Sequence, residues 1–238
     1  MKFALIGYGK MGKAIEEIAL QRGHEIVVKI DEDNQADFSK ENISRADVAI
    51  EFTGPATAFD NVKAAIGYGV PIVCGSTGWL ERFDEIRKFC LEKNGSFLYA
   101  SNFSVGVNIF FELNKRLAAL IAPHSDYEVN VTEIHHTQKK DAPSGTAITI
   151  AEQILENLPK KKSWVNHISD NVDELEILSE RKDPAPGTHK VKYSSAIDDI
   201  EIIHTAHSRK GFALGAVLGA EFIQNKKGIF SMKEVLGL

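Results

Sequence analysis

"KFALIGYGKMG", residues 2–12, decides how the chain begins to fold. The short apolar run 2–6 reads as a strand ended by Gly7. Met11, Ala14, Ile15, Ile18 and Ala19 then recur at helical spacing over 11–22 until Gly23 stops them. Between the two lies Gly7-x-Gly9-x-x-Gly12, and each glycine has a mechanical reason. Gly7 permits the tight turn, Gly9 lets the backbone approach a pyrophosphate, and Gly12 lets helix and strand pack closely. The helix N-terminus, with unpaired N–H groups and the positive end of its dipole, then favours a diphosphate. Asp31 ends the next strand about twenty residues on, where an acid holds the ribose hydroxyls of an adenosine. The candidates for dinucleotide contact here are Gly7, Tyr8, Gly9, Lys10, Met11, Gly12 and Asp31. Glu32 and Asp33 follow, where a 2′-phosphate would call for a cation, so the local reading leans to NADH. Lys10 and Lys13 leave dual use with NADPH open.

The pattern continues outward as strand, helix, strand. "EIVVKI" (25–30), "DVAIEFT" (47–53), "PIVCGST" (71–77) and "SFLYAS" (96–101) read as further strands, with helices near 57–67 and 81–93. Such alternation predicts a parallel sheet covered on both faces. Ligands bind beyond the carboxyl ends of such strands. Gly75, Ser76 and Thr77, and Ala100, Ser101, Asn102 and Phe103, are therefore cofactor candidates as well.

From about residue 103 the texture changes. A long helix (105–122) stops at Pro123, and "YEVNVTEIHH" (127–136) alternates apolar and polar residues. A helix over 145–158 is closed by Pro159, and strand-like runs follow near 172–179, 189–196 and 199–206. This is the grammar of a mixed or antiparallel sheet in a second domain inserted into the first. The C-terminus returns to helix at 211–225, and "SMKE" (231–234) signals a capping box for a short final helix. The expected division is 1–105 with 209–238 for the dinucleotide-binding domain, and 106–208 for substrate binding and oligomerisation. The fold class is α/β, a Rossmann-like domain plus an α+β central domain.

Composition narrows the function. The 238 residues are 43% hydrophobic and 26% charged, with a formal net charge of −5. A nucleic-acid binder would normally be basic. No apolar run is long enough for a membrane helix, and the N-terminus reads as a strand rather than a signal peptide. Cys74 and Cys90 fit no metal spacing, and two reduced thiols in the cytoplasm are expected.

An anionic ligand must then be drawn by a local positive patch, and "EIHHTQKKDAPSGTA" (133–147) offers one. Ser144 is a good N-cap for the helix that follows. The amides of Gly145 and Thr146, with the Ser144 and Thr146 hydroxyls, form a receptor for a carboxylate or phosphate. His135, His136, Lys139 and Lys140 add charge beside it. On a strand His135 and His136 point to opposite faces, so one suits proton handling and the other anion binding. Lys139 suits proton donation, its pKa lowered by neighbouring cations and burial. No metal site is expected, since zinc needs more ligands at suitable spacing.

At this point the sequence resembles the dihydrodipicolinate reductases of bacterial lysine and diaminopimelate synthesis. The matching segments are "GYGKMG", "EFT" (51–53), "CGSTG" (74–78), "ASNFSVGVN" (100–108), "EIHHTQKKDAPSGTA", "HSR" (207–209) and "GIFSMKEVL". The resemblance implies reduction of 4-hydroxy-tetrahydrodipicolinate to tetrahydrodipicolinate by NADH or NADPH. It implies that His135 is the acid/base residue and Lys139 the proton donor, with His136, Ser144, Gly145 and Thr146 around a substrate carboxylate. It also implies a homotetramer built through the central sheet. The chain differs from many members in a shorter glycine loop, in Lys10 where arginine is common, and in lacking an Arg-Gly-Gly run within 191–206. Two other readings remain: another two-domain dehydrogenase, of aspartate or aldehyde type, and a non-catalytic dinucleotide sensor.

Overall fold

Strands and helices alternate from the first residues onward in the computed structural model, which describes residues 1–238. In order come β1 (Lys2–Ile6), α1 (Lys10–Gln21), β2 (Glu25–Ile30), α2 (Lys40–Ile43), β3 (Val48–Glu51), α3 (Ala58–Gly67), β4 (Ile72–Cys74), α4 (Phe83–Glu92) and β5 (Ser96–Tyr99). Then follow α5 (Val105–Ile121), β6 (Glu128–His135), α6 (Gly145–Asn157), β7 (Ser163–Val165), β8 (Glu174–Arg181), β9 (Gly187–Ser194) and β10 (Asp199–Ala206). The chain closes with α7 (Lys210–Ile223), β11 (Gly228–Phe230) and α8 (Met232–Leu236). Two units result: Met1–Val105 with Arg209–Leu238, and Gly106–Ser208.

The first unit is built on a six-stranded sheet in the order β11-β5-β4-β3-β1-β2, and every pairing is parallel. Its inner strands are buried on both faces, so they read as apolar runs; all four residues of β3 are buried. Phe59, Val62 and Ile86 of α3 and α4 pack with Ile72 and Phe97 on one face. On the other, Ile15 and Ala19 of α1 join Ala213, Ala216 and Val217 of α7 over Leu5 and Val73. The small residues of α7 allow close approach: a Cβ on Gly215 would lie 1.7 Å from the Phe103 carbonyl oxygen. Between β1 and β3 the strand order reverses, which is where such a sheet opens a crevice.

The second unit holds a five-stranded sheet in the order β10-β9-β6-β8-β7. It is mixed: β9 runs antiparallel to β6 and β10, and β8 parallel to β6 and β7. Burial alternates along β6, and Val129, Val131, Glu133 and His135 are its buried set. Phe110 and Ala118 of α5 and Ile150, Ala151 and Ile154 of α6 pack with Val129, Val131, Ile177, Val191 and Tyr193.

Three features escape the sequence pattern. β7 and β11 have three residues each, too few for a period to show, and α2 has four. The strand read over 71–77 forms only at Ile72–Cys74, because Gly75, Ser76 and Thr77 turn away as loop. A 3-10 turn over Glu32–Asp37 follows Asp31. No helix is long and apolar enough to cross a membrane.

Candidate active site

The crevice of the first unit is a cavity of about 340 Å³ at the ends of β1, β2 and β3. Gly7, Gly9, Asp31, Glu32, Gln35, Thr53 and Asn61 are among the residues around it. The three glycines of the loop differ in what surrounds them. Gly7 has φ +94°, and a Cβ there would meet the Phe52 carbonyl oxygen at 2.3 Å. A Cβ on Gly12 would meet the Gly7 carbonyl oxygen at 2.3 Å, so helix and turn touch through the glycine. Gly9 has nothing within 4 Å of that position. It is the N-cap of α1 and makes no side-chain cap, so the amides of the first turn face a space without a side chain. A diphosphate fits that space and those donors.

Asp31 borders the cavity and also caps the turn behind it. Its carboxylate accepts the Glu32 N–H at 3.0 Å, and the Asn34 side chain accepts the Asp31 N–H at 2.7 Å. Beneath the opposite wall lies Glu51, fully buried. The Thr53 N–H (2.9 Å), the Ser76 hydroxyl (3.1 Å), the Cys74 thiol (2.9 Å) and the Thr53 hydroxyl all donate to it. It thereby pins the loops after β3 and β4 to each other. Burial and the Glu51 carboxylate push the Cys74 thiol well up, which keeps it protonated and a poor nucleophile. Both cysteines are free and buried.

In the second unit β6, the loop 136–143 and α6 carry the other cluster. His135 is the last residue of β6, and His136 lies just beyond it. Lys139 pairs with Asp141 at 2.9 Å. The loop is tied down by Thr137, whose N–H and hydroxyl donate to Asp183 at 3.2 and 2.5 Å. Arg181 donates to the Asp141 carbonyl at 2.6 Å. Gly145 opens α6 exposed, with nothing within 4 Å of where a Cβ would stand.

Ser144 is turned inward, against the expectation that its hydroxyl meets a ligand. It is 3% exposed, accepts the Ala147 N–H at 3.2 Å as N-cap and contacts His189 Nε2 at 3.3 Å. Its N–H donates to Glu133 at 3.0 Å. Glu133 is fully buried. Burial alone would raise its pKa, but the contacts of His135, Ser144 and Ser179 hold it well below the usual carboxylate range. Burial and the nearby His135 lower His189 to about 4, so that ring is neutral. His135 is itself largely buried, with a tenth of its side chain exposed.

The structure gathers Gly7, Gly9 and Asp31 at one cavity. Tyr8, Lys10, Met11 and Gly12 belong to the same turn and helix but do not line it. Gly75 packs so closely on the Phe52 ring that a Cβ would overlap it at 2.2 Å, and the Ser76 hydroxyl is spent on Glu51. Thr77 and Ser101 are exposed, Asn102 half-buried, and Ala100 and Phe103 belong to the core. Sequence reasoning missed Gln35, the loop 54–57 and Asn61 as cavity walls, and Gly54-Pro55 after an apolar strand was the available signal. It also missed Glu133, His189 and Arg181.

A parallel sheet with a glycine-loop crevice, joined in one chain to a mixed sheet bearing a His–Lys segment at a helix start, defines a two-unit dinucleotide-dependent oxidoreductase. Comparison with known proteins is more specific. Residues 1–103 match the family model "Dihydrodipicolinate reductase, N-terminus", and residues 106–236 match "Dihydrodipicolinate reductase, C-terminus". A 4-hydroxy-tetrahydrodipicolinate reductase of Christiangramia forsetii is 50% identical over 236 residues, covering 99% of this chain and 98% of that one. The reductase of Methanosarcina acetivorans is 36% identical over 239 residues, covering 99% and 89%. Among solved structures, the dipicolinate-bound dihydrodipicolinate reductase of Paenisporosarcina sp. TG-14 has the same fold, with a TM-score of 0.79, 22% identity and 99% of each chain covered. A C. glutamicum DAP dehydrogenase shares it more loosely, with a TM-score of 0.54, 14% identity and 99% and 95% covered. The chain belongs to the dihydrodipicolinate reductase family. Its activity is the NAD(P)H-dependent reduction of 4-hydroxy-tetrahydrodipicolinate in lysine and diaminopimelate synthesis.

Proposed function

We propose that the two units divide this reaction, 1–105 with 209–238 holding the dinucleotide and 106–208 holding the substrate dicarboxylate. The observation that carries the second assignment is one short segment of one unit. It runs from His135 and His136 through Lys139 to the exposed Gly145 at the start of α6. When bound, the dinucleotide supplies a hydride. Once the 4-hydroxyl has left the substrate as water, the unsaturated ring takes the hydride, Lys139 donates the proton that neutralises the charge left on it, and His135 acts as the acid/base partner. His136 and the Gly145-Thr146 turn hold a substrate carboxylate, since the N-terminus of a thirteen-residue helix favours an anion. Ser144 supports that turn as its cap.

In the first unit, Gly7 to Gly12 receive the diphosphate and Asp31 the adenosine ribose. Asp31 and Glu32 both border the cavity, which favours NADH over NADPH. The segments 75–77 and 100–103 complete the loops beyond β4 and β5. The reading includes a cytoplasmic homotetramer, supported by two buried unpaired thiols and by exposed Ile200 and Ile203 on β10.

Loss of NADH absorbance on mixing with the product of the preceding synthase tests the reading. Lys139→Ala and His135→Gln are expected to lower turnover by roughly 10²–10⁴-fold while NADH still binds. Near-normal turnover in both variants would remove their roles. A hundredfold advantage for NADPH would overturn the cofactor preference, and light scattering of the purified protein checks the tetramer.

A further inference from the structure

We propose that Glu133 is a positioning residue for the reaction. It holds a proton on Nδ1 of His135 and ties that ring to the start of α6. The proposal rests on His135 being the acid/base residue.

The two oxygens of Glu133 are used differently. Oε1 accepts the Ser144 N–H at 3.0 Å, the Ser179 hydroxyl at 2.7 Å and Arg181 Nη2 at 3.2 Å. Oε2 receives none of these. It lies 3.2 Å from His135 Nδ1 and 3.9 Å from His189 Nε2. Oε2 and His135 Nδ1 are both fully buried, and neither makes a well-directed hydrogen bond, to the other or to any further group. A bare ring nitrogen there would set two acceptors face to face in a low-dielectric core, which is costly. A proton on Nδ1 turns the same contact into donor and acceptor. His189 does not compete for Oε2, because its Nε2 contacts the Ser144 hydroxyl at 3.3 Å.

With Nδ1 held to the carboxylate, Nε2 of His135 is the ring nitrogen left to exchange a proton. That edge faces Gly187, where a Cβ would come to 3.0 Å from Nε2. The Ser144 N–H on Oε1 belongs to the N-cap of α6. One carboxylate therefore fixes both the ring that handles a proton and the helix start that receives the substrate carboxylate. Glu133, His135 and His189 are also close enough to share a metal ion. The guanidinium of Arg181 already neutralises the carboxylate, so a proton fits this cluster better than a divalent cation.

The test uses the whole protein with ¹⁵N-labelled histidine, the His135 signal being assigned by its loss in His135→Gln. Ring-nitrogen shifts in the wild type are expected to show Nδ1 of His135 protonated. In Glu133→Gln the proton is expected on Nε2, with kcat lower by roughly 10–100-fold and KM for NADH unchanged. Glu133→Asp, which keeps the charge and the fold, is expected to retain the Nδ1 proton and recover part of kcat. A folded Glu133→Gln with the proton still on Nδ1, or with wild-type turnover, overturns the proposal. So does a Glu133→Asp with full activity and the proton on Nε2, which decides the matter if the Gln variant does not fold. Full turnover in His135→Gln, with the proton moved in Glu133→Gln, would instead remove the catalytic assignment and leave the positioning intact.

Discussion

Each unit of the molecule buries one glutamate completely, and the two are stabilised by different partners. Glu51, at the end of β3, is surrounded by neutral donors: a backbone N–H, two hydroxyls and a thiol. Glu133, near the end of β6, accepts from a backbone N–H and a hydroxyl but also from the Arg181 guanidinium, with His135 alongside. A buried carboxylate held by hydrogen bonds alone shapes the loops that reach it. A buried carboxylate paired with a cation and a titratable ring also decides where a proton sits. The first therefore serves the walls of a cavity, and the second serves chemistry.

Stability measurements can break this contrast, because each unit carries one tryptophan, Trp79 in the first and Trp164 in the second. Replacing one by Phe leaves the other to report on its own unit. The largest effect is expected from Glu133→Leu. It strands Arg181 beside an apolar side chain and should cost the second unit about 3–5 kcal/mol in urea unfolding followed by Trp164. A loss below that of a Glu51 variant would reverse the comparison.

Acid should act next. His189 titrates near 4 in the folded unit against an ordinary value of 6.5, so on acidification the unfolded chain takes up the proton first. Stability from this group is full above 6.5 and is lost as pH falls toward 4, by roughly 3 kcal/mol. Glu133, held low, adds a loss in the same direction once the pH drops below the ordinary carboxylate range. His189→Asn should flatten the slope between pH 6.5 and 4, and an unchanged slope would assign it elsewhere.

Smaller still is Glu51→Gln, at about 1–3 kcal/mol read through Trp79, since hydrogen bonds are lost but no cation is stranded. Weaker NADH binding should accompany it. The smallest is Ser144→Ala, about 1 kcal/mol for a lost N-cap, read through Trp164.

The glycine loop was legible because its logic is local. A turn, a close approach and an open space lie within six residues, and each demands glycine for its own reason. The rest of the cavity wall was not legible, since Thr53 to Thr57 and Asn61 reach it only because strand order reverses between β1 and β3. The sixth strand was hidden for want of length. In the second unit, the alternation Val129, Val131, Glu133, His135 already marks Glu133 as facing the core. Its meaning depends on Ser179, Arg181 and His189, brought to it by strand register across forty or more residues. Ser144 was readable as a helix cap, but only the packed His189 shows that its hydroxyl turns away from solvent.

The C-terminal stretch 209–238 supplies α7, which covers one face of the first sheet, and β11, its edge strand. During synthesis the first unit therefore cannot close its core until that stretch has emerged. Residues 106–208 form an unbroken segment and have every partner they need well before then. The unit interrupted in sequence is thus the later to mature, and in the meantime its half-covered sheet is the part of the nascent chain most exposed to misassociation.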